Sequence, residues 1–206
     1  MPKPTFNGED GVRKFLVSKG LRPEPFTKAE KRLSRTPDFR VFDGGDLAFY
    51  CEVKTAQEDE WLGTQLANAP PLTIVGGLRH DPTYNRISHY IHKATGQFDA
   101  VNSTMDRPNV LAIVNDDGGA GFTDLIQVLT GNAYCQSGEI WPMFREYSDG
   151  RIREAKLRIH LYLWFDAWRS TRPQFFFPEV HQRYHQALCR VFGVDPSRVK
   201  GLPVRR

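Results

Sequence analysis

Alternating polar and apolar residues between Asp38 and Lys54 predict a β-hairpin. The first strand covers Asp38–Phe42 and the second covers Leu47–Lys54. The residues between them, Asp43-Gly44-Gly45-Asp46, have the composition of a tight turn. Such a turn folds the first strand back beside the second, so the start of the first strand is expected to lie near the end of the second.

The alternation also assigns side chains to the two faces of this hairpin. Glu52 and Lys54 are two residues apart and share one face, whereas Cys51 and Val53 point to the other. Asp38 is expected to approach the face of Glu52 and Lys54. Two carboxylates and one ammonium group would then meet at one place on the sheet, and Cys51 is expected to be a buried residue.

The periodicity of apolar residues predicts the remaining elements of an α/β fold. Helices are predicted from Asn7 or Asp10 to Lys19, from Tyr84 to Val101, from Phe122 to Leu129 and from about Glu179 to Phe192. Strands are predicted at Asn109–Asn115 and at Lys156–Phe165. The second of these strands alternates regularly, so we expect it to extend the sheet with one apolar face.

The predicted cluster of Asp38, Glu52 and Lys54 suits a divalent cation that acts on phosphate. Mg²⁺ prefers oxygen ligands and takes one or two protein carboxylates together with water and substrate phosphate. Asp38 and Glu52 supply the carboxylates, and the backbone carbonyl of Val53 is a further candidate ligand. Lys54 lies where it would hold the attacking water or offset negative charge on the phosphate. The alternative is an exposed strand on which Glu52 and Lys54 form a solvated pair.

Pro37-Asp38, followed after fourteen positions by Glu52-Val53-Lys54, resembles the motif of the PD-(D/E)XK nuclease superfamily. The resemblance implies an α/β fold with a restriction endonuclease-like core of order αβββαβ, a central mixed sheet flanked by helices, over residues 9–115. Residues 116–206 would be a C-terminal elaboration with a strand and a helix, and residues 1–206 a single domain. It also implies hydrolysis of phosphodiester bonds with Mg²⁺, or Mn²⁺ in its place, with endonucleolytic cutting of DNA favoured.

The resemblance also implies assisting residues on two helices. Members often carry a glutamate on the first helix that reaches the metal. Glu9 is the first choice for this role and Glu30 the second, although Glu9 is equally well explained as an acid favoured at a helix N-terminus. Members often place a lysine or glutamine on the second helix, which matches Lys93 as a phosphate contact and Gln97 as an orienting partner. The alternative for Lys93 and Gln97 is a polar outer face.

Two other groups of polar residues favour structural interpretations. Asp116 and Asp117 precede glycines and are typical of a turn more than of a metal site. His181, His185 and Cys189 are spaced one turn apart on a helix, as zinc ligands are, but an ordinary amphipathic helix is the favoured interpretation because a fourth ligand is not apparent.

The segment Ala56–Thr83 is longer than a minimal connection between a strand and a helix. Insertions of this length are commonly functional, and Trp61 and Arg79-His80 are its candidate substrate contacts.

Composition narrows the possible partners. The 206 residues carry a formal net charge of +4 and a pI of about 9.0, which suits nucleic acid. Two groups of cations are candidate phosphate contacts, with a solvated surface as the alternative: Lys28, Lys31, Arg32 and Arg35, and Arg198, Lys200, Arg205 and Arg206. The three cysteines argue against a disulfide framework. An apolar segment long enough to span a bilayer is not apparent, so the expectation is a cytoplasmic protein.

Two rival functions stay open at the level of sequence. A nuclease fold can persist without hydrolysis as a module that binds nucleic acid or a protein. The other is a defence or mobile-element endonuclease that works as a homodimer or inside a larger protein assembly.

Overall fold

A six-stranded mixed sheet flanked by helices organises the described part of the chain in this computed structural model. The structure describes residues 6, 8–57, 61–74, 83–135, 137–143, 152–168, 172–178 and 182–197. The helices are α1 Gly8–Ser18, α2 Lys28–Leu33, α3 Trp61–Asn68, α4 Thr83–Asn102, α5 Phe122–Thr130, α6 Arg153–Lys156 and α7 Gln182–Phe192. The strands are β1 Arg22–Pro25, β2 Phe39–Asp43, β3 Asp46–Gln57, β4 Asn109–Asp116, β5 Asn132–Tyr134, β6 Ile140–Pro142, β7 Leu161–Asp166 and β8 Gln174–Phe176.

The strands of the main sheet follow the order β1-β2-β3-β4-β7-β8, and β5 pairs with β6 in a separate hairpin. β1, β2 and β3 are antiparallel neighbours, β3, β4 and β7 are parallel neighbours, and β8 returns antiparallel to β7. A parallel pair needs a crossover connection, and α4 lies in the connection between β3 and β4. The chain order is therefore α1, three antiparallel strands, α4 and then a parallel fourth strand, with α2 and α3 as short additional helices.

Apolar side chains cover both faces of this sheet. On one face, residues of α1 and α7 such as Val12 and Phe192 pack in one cluster with Phe49 and Cys51 of β3. On the other face, residues of α4 and α5 pack in a second cluster with alternate residues of β4, for example Leu111. The strands next to the centre are therefore buried on both sides, as parallel strands usually are.

The structure confirms most of the predicted elements. β2 and β3 form the expected hairpin around Gly44, whose φ of +60° is a conformation that favours glycine. α4, β4 and α5 match their predicted segments to within one or two residues. The predicted first helix is α1, although Asn7, one candidate for its start, lies outside the described residues. The last helix begins at Gln182 in the described residues, and Glu179 lies outside them.

The predicted strand Lys156–Phe165 is wrong in its extent and in its single apolar face. α6 ends at Lys156, a turn follows, and β7 begins only at Leu161. From Leu161 to Phe165 every residue of β7 is buried. The reason is that helices cover the second face as well: Tyr162 and Trp164, which alternate with the leucines, pack in the same core cluster as residues of α4 and α5.

Two elements near the start of the chain were not predicted. Arg22–Pro25 forms the edge strand β1 although it contains two prolines, which are tolerated where a strand lacks a neighbour on one side. Lys28–Leu33, interpreted from sequence as part of a solvated connection, is the helix α2. It begins with a capping box in which Thr27 and Glu30 exchange hydrogen bonds.

The long connection after β3 contains the helix α3. The candidate substrate contacts Arg79 and His80 lie outside the described residues, and so do the four cations of the C-terminal tail. None of the helices in the described ranges is long and apolar enough to cross a membrane.

Candidate active site

The predicted carboxylates Asp38 and Glu52 lie side by side where β2 begins. Phe39 pairs with Cys51, and this register places Asp38 next to Glu52 and Val53. The backbone N–H of Val53 donates a hydrogen bond of 2.8 Å to Oδ2 of Asp38, and the backbone N–H of Asp38 donates one of 3.1 Å to Oε2 of Glu52. The hairpin thus holds both carboxylates through backbone groups, which leave little freedom in their positions.

Lys54 joins this pair from the same face of β3. Its Nζ donates hydrogen bonds to Oε1 of Glu52 and, at 2.8 Å, to Oε1 of Gln97 on α4. Nε2 of Gln97 donates in turn to the backbone carbonyl of Thr36, at 3.0 Å. Gln97 therefore connects the ammonium group to the segment that leads into Asp38, and only 15% of the Lys54 side chain is exposed.

The electrostatics of Glu52 are unusual for a carboxylate beside a lysine. Only 1% of Glu52 is exposed. Burial, together with the negative charge of Asp38, raises the pKa of Glu52 to about 7, although Lys54 and Gln97 act in the opposite direction. Glu52 therefore changes protonation state near neutral pH, and its neighbours do not fully offset the negative charge of its ionised form.

Glu9 lies close enough to Asp38 for their charges to interact. Glu9 occupies the first turn of α1, and most of its surface is exposed. Partial desolvation of its carboxyl group and the charge of Asp38 nevertheless raise the pKa of this group. Lys31 and Arg13 lower that pKa. The structure thus brings Glu9 to the border of the site, without a hydrogen bond between Glu9 and either Asp38 or Glu52.

The other proposed assisting residues lie apart from the carboxylates. Lys93 is exposed one turn before Gln97 and makes no hydrogen bond or ion pair with another residue that the structure describes. The carboxylate of Glu30, the second choice on the N-terminal side, accepts hydrogen bonds from Thr27 and Arg40. These bonds, first the one from Arg40, lower the pKa of Glu30 to about 2, which is the environment of a structural ion pair.

The donor set at Asp38 and Glu52 fits a hard divalent cation. Both side chains offer carboxylate oxygens, and the repulsion between them that raises the pKa of Glu52 would be relieved by a cation between them. The carbonyl oxygen of Val53 remains the predicted third ligand. Among the described residues no group of three or more His, Cys, Asp or Glu side chains is arranged to hold a metal. The pair therefore suits Mg²⁺ or Mn²⁺, which need few protein ligands, better than zinc.

Asp117 has the structural role that its sequence context predicts. It is buried, its Oδ2 accepts a 2.6 Å hydrogen bond from Arg86, and its Oδ1 accepts one from the backbone N–H of Gly119. The alternative zinc site receives no support from the residues described: Cys189 is buried and His185 packs edge-on against Phe177, while His181 lies outside them.

Two residues at the site were not anticipated from the sequence. Thr36 is buried and its carbonyl receives the hydrogen bond from Gln97, whereas its Oγ1 has no hydrogen-bond partner in the part of the chain that is described. Tyr90 lies two turns before Gln97 on α4, and its hydroxyl donates to the carbonyl of Thr55, just after Lys54. The helical spacing of Tyr90 and Gln97 was a usable signal; nothing in the sequence marks Thr36.

No family model, curated protein or solved structure matches this chain. The function of this chain is therefore inferred from the geometry of four residues: Asp38, Glu52, Lys54 and Gln97.

Proposed function

We propose that this chain is a nuclease that hydrolyses phosphodiester bonds with Mg²⁺, or with Mn²⁺ in its place, and that its substrate is DNA. The observation that carries the proposal is the convergence of Asp38, Glu52 and Lys54 on one face of the hairpin, with Gln97 bound to Lys54. The chain order of α1, three antiparallel strands, α4 and a parallel strand is also the order expected of a restriction endonuclease-like core. Both features support the same superfamily, one from chemistry and one from topology.

Asp38 and Glu52, with the carbonyl of Val53, are the groups that would hold the cation. When bound, such a cation lowers the pKa of a coordinated water and stabilises negative charge on the phosphate. The protein supplies the positions: backbone N–H groups orient Asp38 and Glu52, so the carboxylates need not reorganise on binding.

Lys54 supplies the positive charge at the site. Its ammonium group is a donor next to the carboxylates, where it orients a water molecule or stabilises the charge that develops on the phosphate during attack. Gln97 holds the ammonium group between Glu52 and the segment of Thr36, so the lysine is positioned before the substrate arrives.

The proposal is tested by cleavage of supercoiled plasmid and of labelled oligonucleotides with Mg²⁺, with Mn²⁺ and with chelator. Asp38→Asn, Glu52→Gln and Lys54→Gln are each expected to reduce cleavage by about 100-fold or more, the usual effect of removing one electrostatic group from an active site. Asp46→Asn and Lys14→Gln are matched controls because they remove the same charges from exposed positions. Equal cleavage by all variants would overturn the assignment.

A binding module without hydrolytic activity is the alternative outcome of the same experiment. In that case the wild-type chain would bind nucleic acid without cleaving it, and isothermal titration with Mg²⁺ would show no heat that depends on Asp38 and Glu52.

A further inference from the structure

A strongly basic surface lies beside the candidate active site, on α2 and the residues that follow it. We call it the α2 basic surface; its members are exposed and consist of Lys28, Lys31, Arg32 and Arg35. None of these side chains forms a hydrogen bond or an ion pair with another residue in the described ranges. Their charges are therefore available to a partner.

The acid of α2 does not neutralise this surface. Glu30 lies two positions after Lys28, on the opposite side of the helix, because successive residues are separated by about 100° of rotation. Its carboxylate is held by Thr27 and by Arg40 of β2, and those bonds keep the pKa of Glu30 low. One face of α2 is thus anchored to the sheet while the opposite face presents cations.

The α2 basic surface adjoins the carboxylates of the site. Asp38 lies three positions after Arg35, which limits the distance between their Cα atoms to about 11 Å. Thr36, between them, is fixed by the hydrogen bond from Gln97. On the other side, the charges of Lys31 and Asp38 both act on Glu9. The surface is therefore held at the edge of the site by the same segment that positions Asp38.

We propose that the α2 basic surface binds the phosphodiester backbone of the substrate nucleic acid and holds it next to Asp38 and Glu52. The choice of ligand rests on the proposed nuclease function. Charge complementarity supports this ligand: four exposed cations lie beside two carboxylates, whose own repulsion of a polyanion must be offset for the substrate to approach. None of the four forms an ion pair in the described residues, although the charge of Lys31 also acts on the exposed Glu9. Lys28 and Arg32, one helical turn apart, are separated by about 6 Å along the axis, so they contact different phosphates.

The test measures binding separately from cleavage. Full-length wild type and the variant Lys31→Gln, Arg32→Gln, Arg35→Gln are titrated against a fluorescent DNA duplex and a single-stranded RNA of the same sequence, in chelator, at several salt concentrations. Glutamine removes the charge with little change in helix propensity. Each lost phosphate contact is expected to lower the slope of log affinity against log salt by about 0.9 for the duplex, and affinity at about 0.1 M salt is expected to fall at least tenfold.

The matched control removes the same number of exposed cations elsewhere: Lys19→Gln directly after α1, and Arg183→Gln and Arg190→Gln on α7. Both helices pack on the face of the sheet opposite Glu52, so this variant should keep the wild-type slope. An α2 variant with the wild-type slope and affinity would overturn the inference, and so would a wild type that binds neither probe. A wild type that binds through α2 in chelator but cleaves neither probe after addition of Mg²⁺ or Mn²⁺ would leave the inference standing and refute hydrolysis.

Discussion

Replacing Glu52 by glutamine should stabilise the fold at high pH and leave it nearly unchanged at low pH. Glutamine resembles the protonated carboxyl group in shape and cannot ionise. In the folded wild type the pKa of Glu52 is raised from 4.5 to about 7 by burial and by the charge of Asp38. Ionising this buried group therefore opposes folding, whereas the glutamine variant avoids that cost.

The sign and size of the effect follow from linkage between protonation and folding. Below about pH 4.5 Glu52 is protonated in both states, so its raised pKa leaves stability intact. As pH rises from about 4.5 through about 7, the carboxyl group ionises more readily in the unfolded chain than in the folded chain. The free energy of unfolding therefore falls over this interval. The difference between a pKa of 4.5 and a pKa of about 7 corresponds to a loss of roughly 3 kcal/mol in the free energy of unfolding once the pH is above this interval.

The measurement is urea unfolding of wild type and Glu52→Gln, followed by tryptophan fluorescence at about pH 5 and about pH 8. The difference in the free energy of unfolding should grow in favour of the variant by roughly 2 to 3 kcal/mol over this interval. Asp46→Asn is the control, since an exposed carboxylate stays in water in both states. A difference for Glu52→Gln that does not change with pH would refute the electrostatic reasoning.

The remaining predictions concern other contacts of the same fold. Mg²⁺ at about 100 times its dissociation constant should raise the unfolding free energy of wild type by about 2.7 kcal/mol, and that of Asp38→Asn much less, as thermal melts with and without chelator would reveal. Arg86→Ala removes a partner of the buried Asp117 and should lower the free energy of unfolding, measured with urea, by about 3 kcal/mol. Arg13→Ala breaks an exposed ion pair and should lower it by less than about 1 kcal/mol, so equal losses would contradict the structure. Tyr162→Phe should be neutral or stabilise by about 1 kcal/mol, because its buried hydroxyl lacks a hydrogen-bond partner in the described residues; a loss above about 2 kcal/mol would reveal a partner.

The shared face of Glu52 and Lys54 was predictable because one simple rule determines it. Side chains alternate along a strand, so Glu52 and Lys54 had to share a face and Cys51 had to point away from them. The residue opposite Asp38 was not determined in the same way. The turn at Gly44 pairs Asp43 with Asp46, and this register alone would set Asp38 opposite Cys51, on the other face. A β-bulge between Val41 and Phe42 shifts the register by one residue and sets Asp38 beside Glu52, and the sequence pattern did not predict that bulge.

The helical rotation of α4 could also have indicated from the sequence that Gln97, more than Lys93, lies close to Lys54. Ile87, Ile91 and Phe98 are buried and mark the inner side of the helix. At about 100° per residue, Gln97 lies about 90° from the middle of the buried stripe and Lys93 about 130°. The smaller angle places Gln97 at the edge of the interface, where its amide reaches Lys54, and leaves Lys93 in solvent.

Elements that depend on tertiary neighbours were not predictable in the same way. β1 is a strand because β2 offers it a partner, despite the prolines that argue against a strand in isolation. The even burial of β7 arises because helices cover both faces of the sheet: one face of β7 packs with residues of α1 and α7, and the other packs with residues of α4 and α5. Tyrosine and tryptophan have both an apolar ring and a polar group, so they occur on solvent-exposed faces as well as on buried ones. The alternation of Tyr162 and Trp164 with leucine therefore did not show whether the second face of β7 is polar.

A comparison of acidic residues within this chain sharpens the case for a cation at the site. Glu30 is held by Arg40 and Thr27, and its pKa falls to about 2, as expected where an arginine satisfies a carboxylate. Glu52 also has a cationic neighbour, Lys54, yet its pKa rises to about 7. The difference is that Glu52 is buried and must share its surroundings with Asp38, so one ammonium group faces two carboxylates. The proposed divalent ion would carry the charge that this pair lacks, and the carboxylate oxygens of Asp38 and Glu52 would be its ligands.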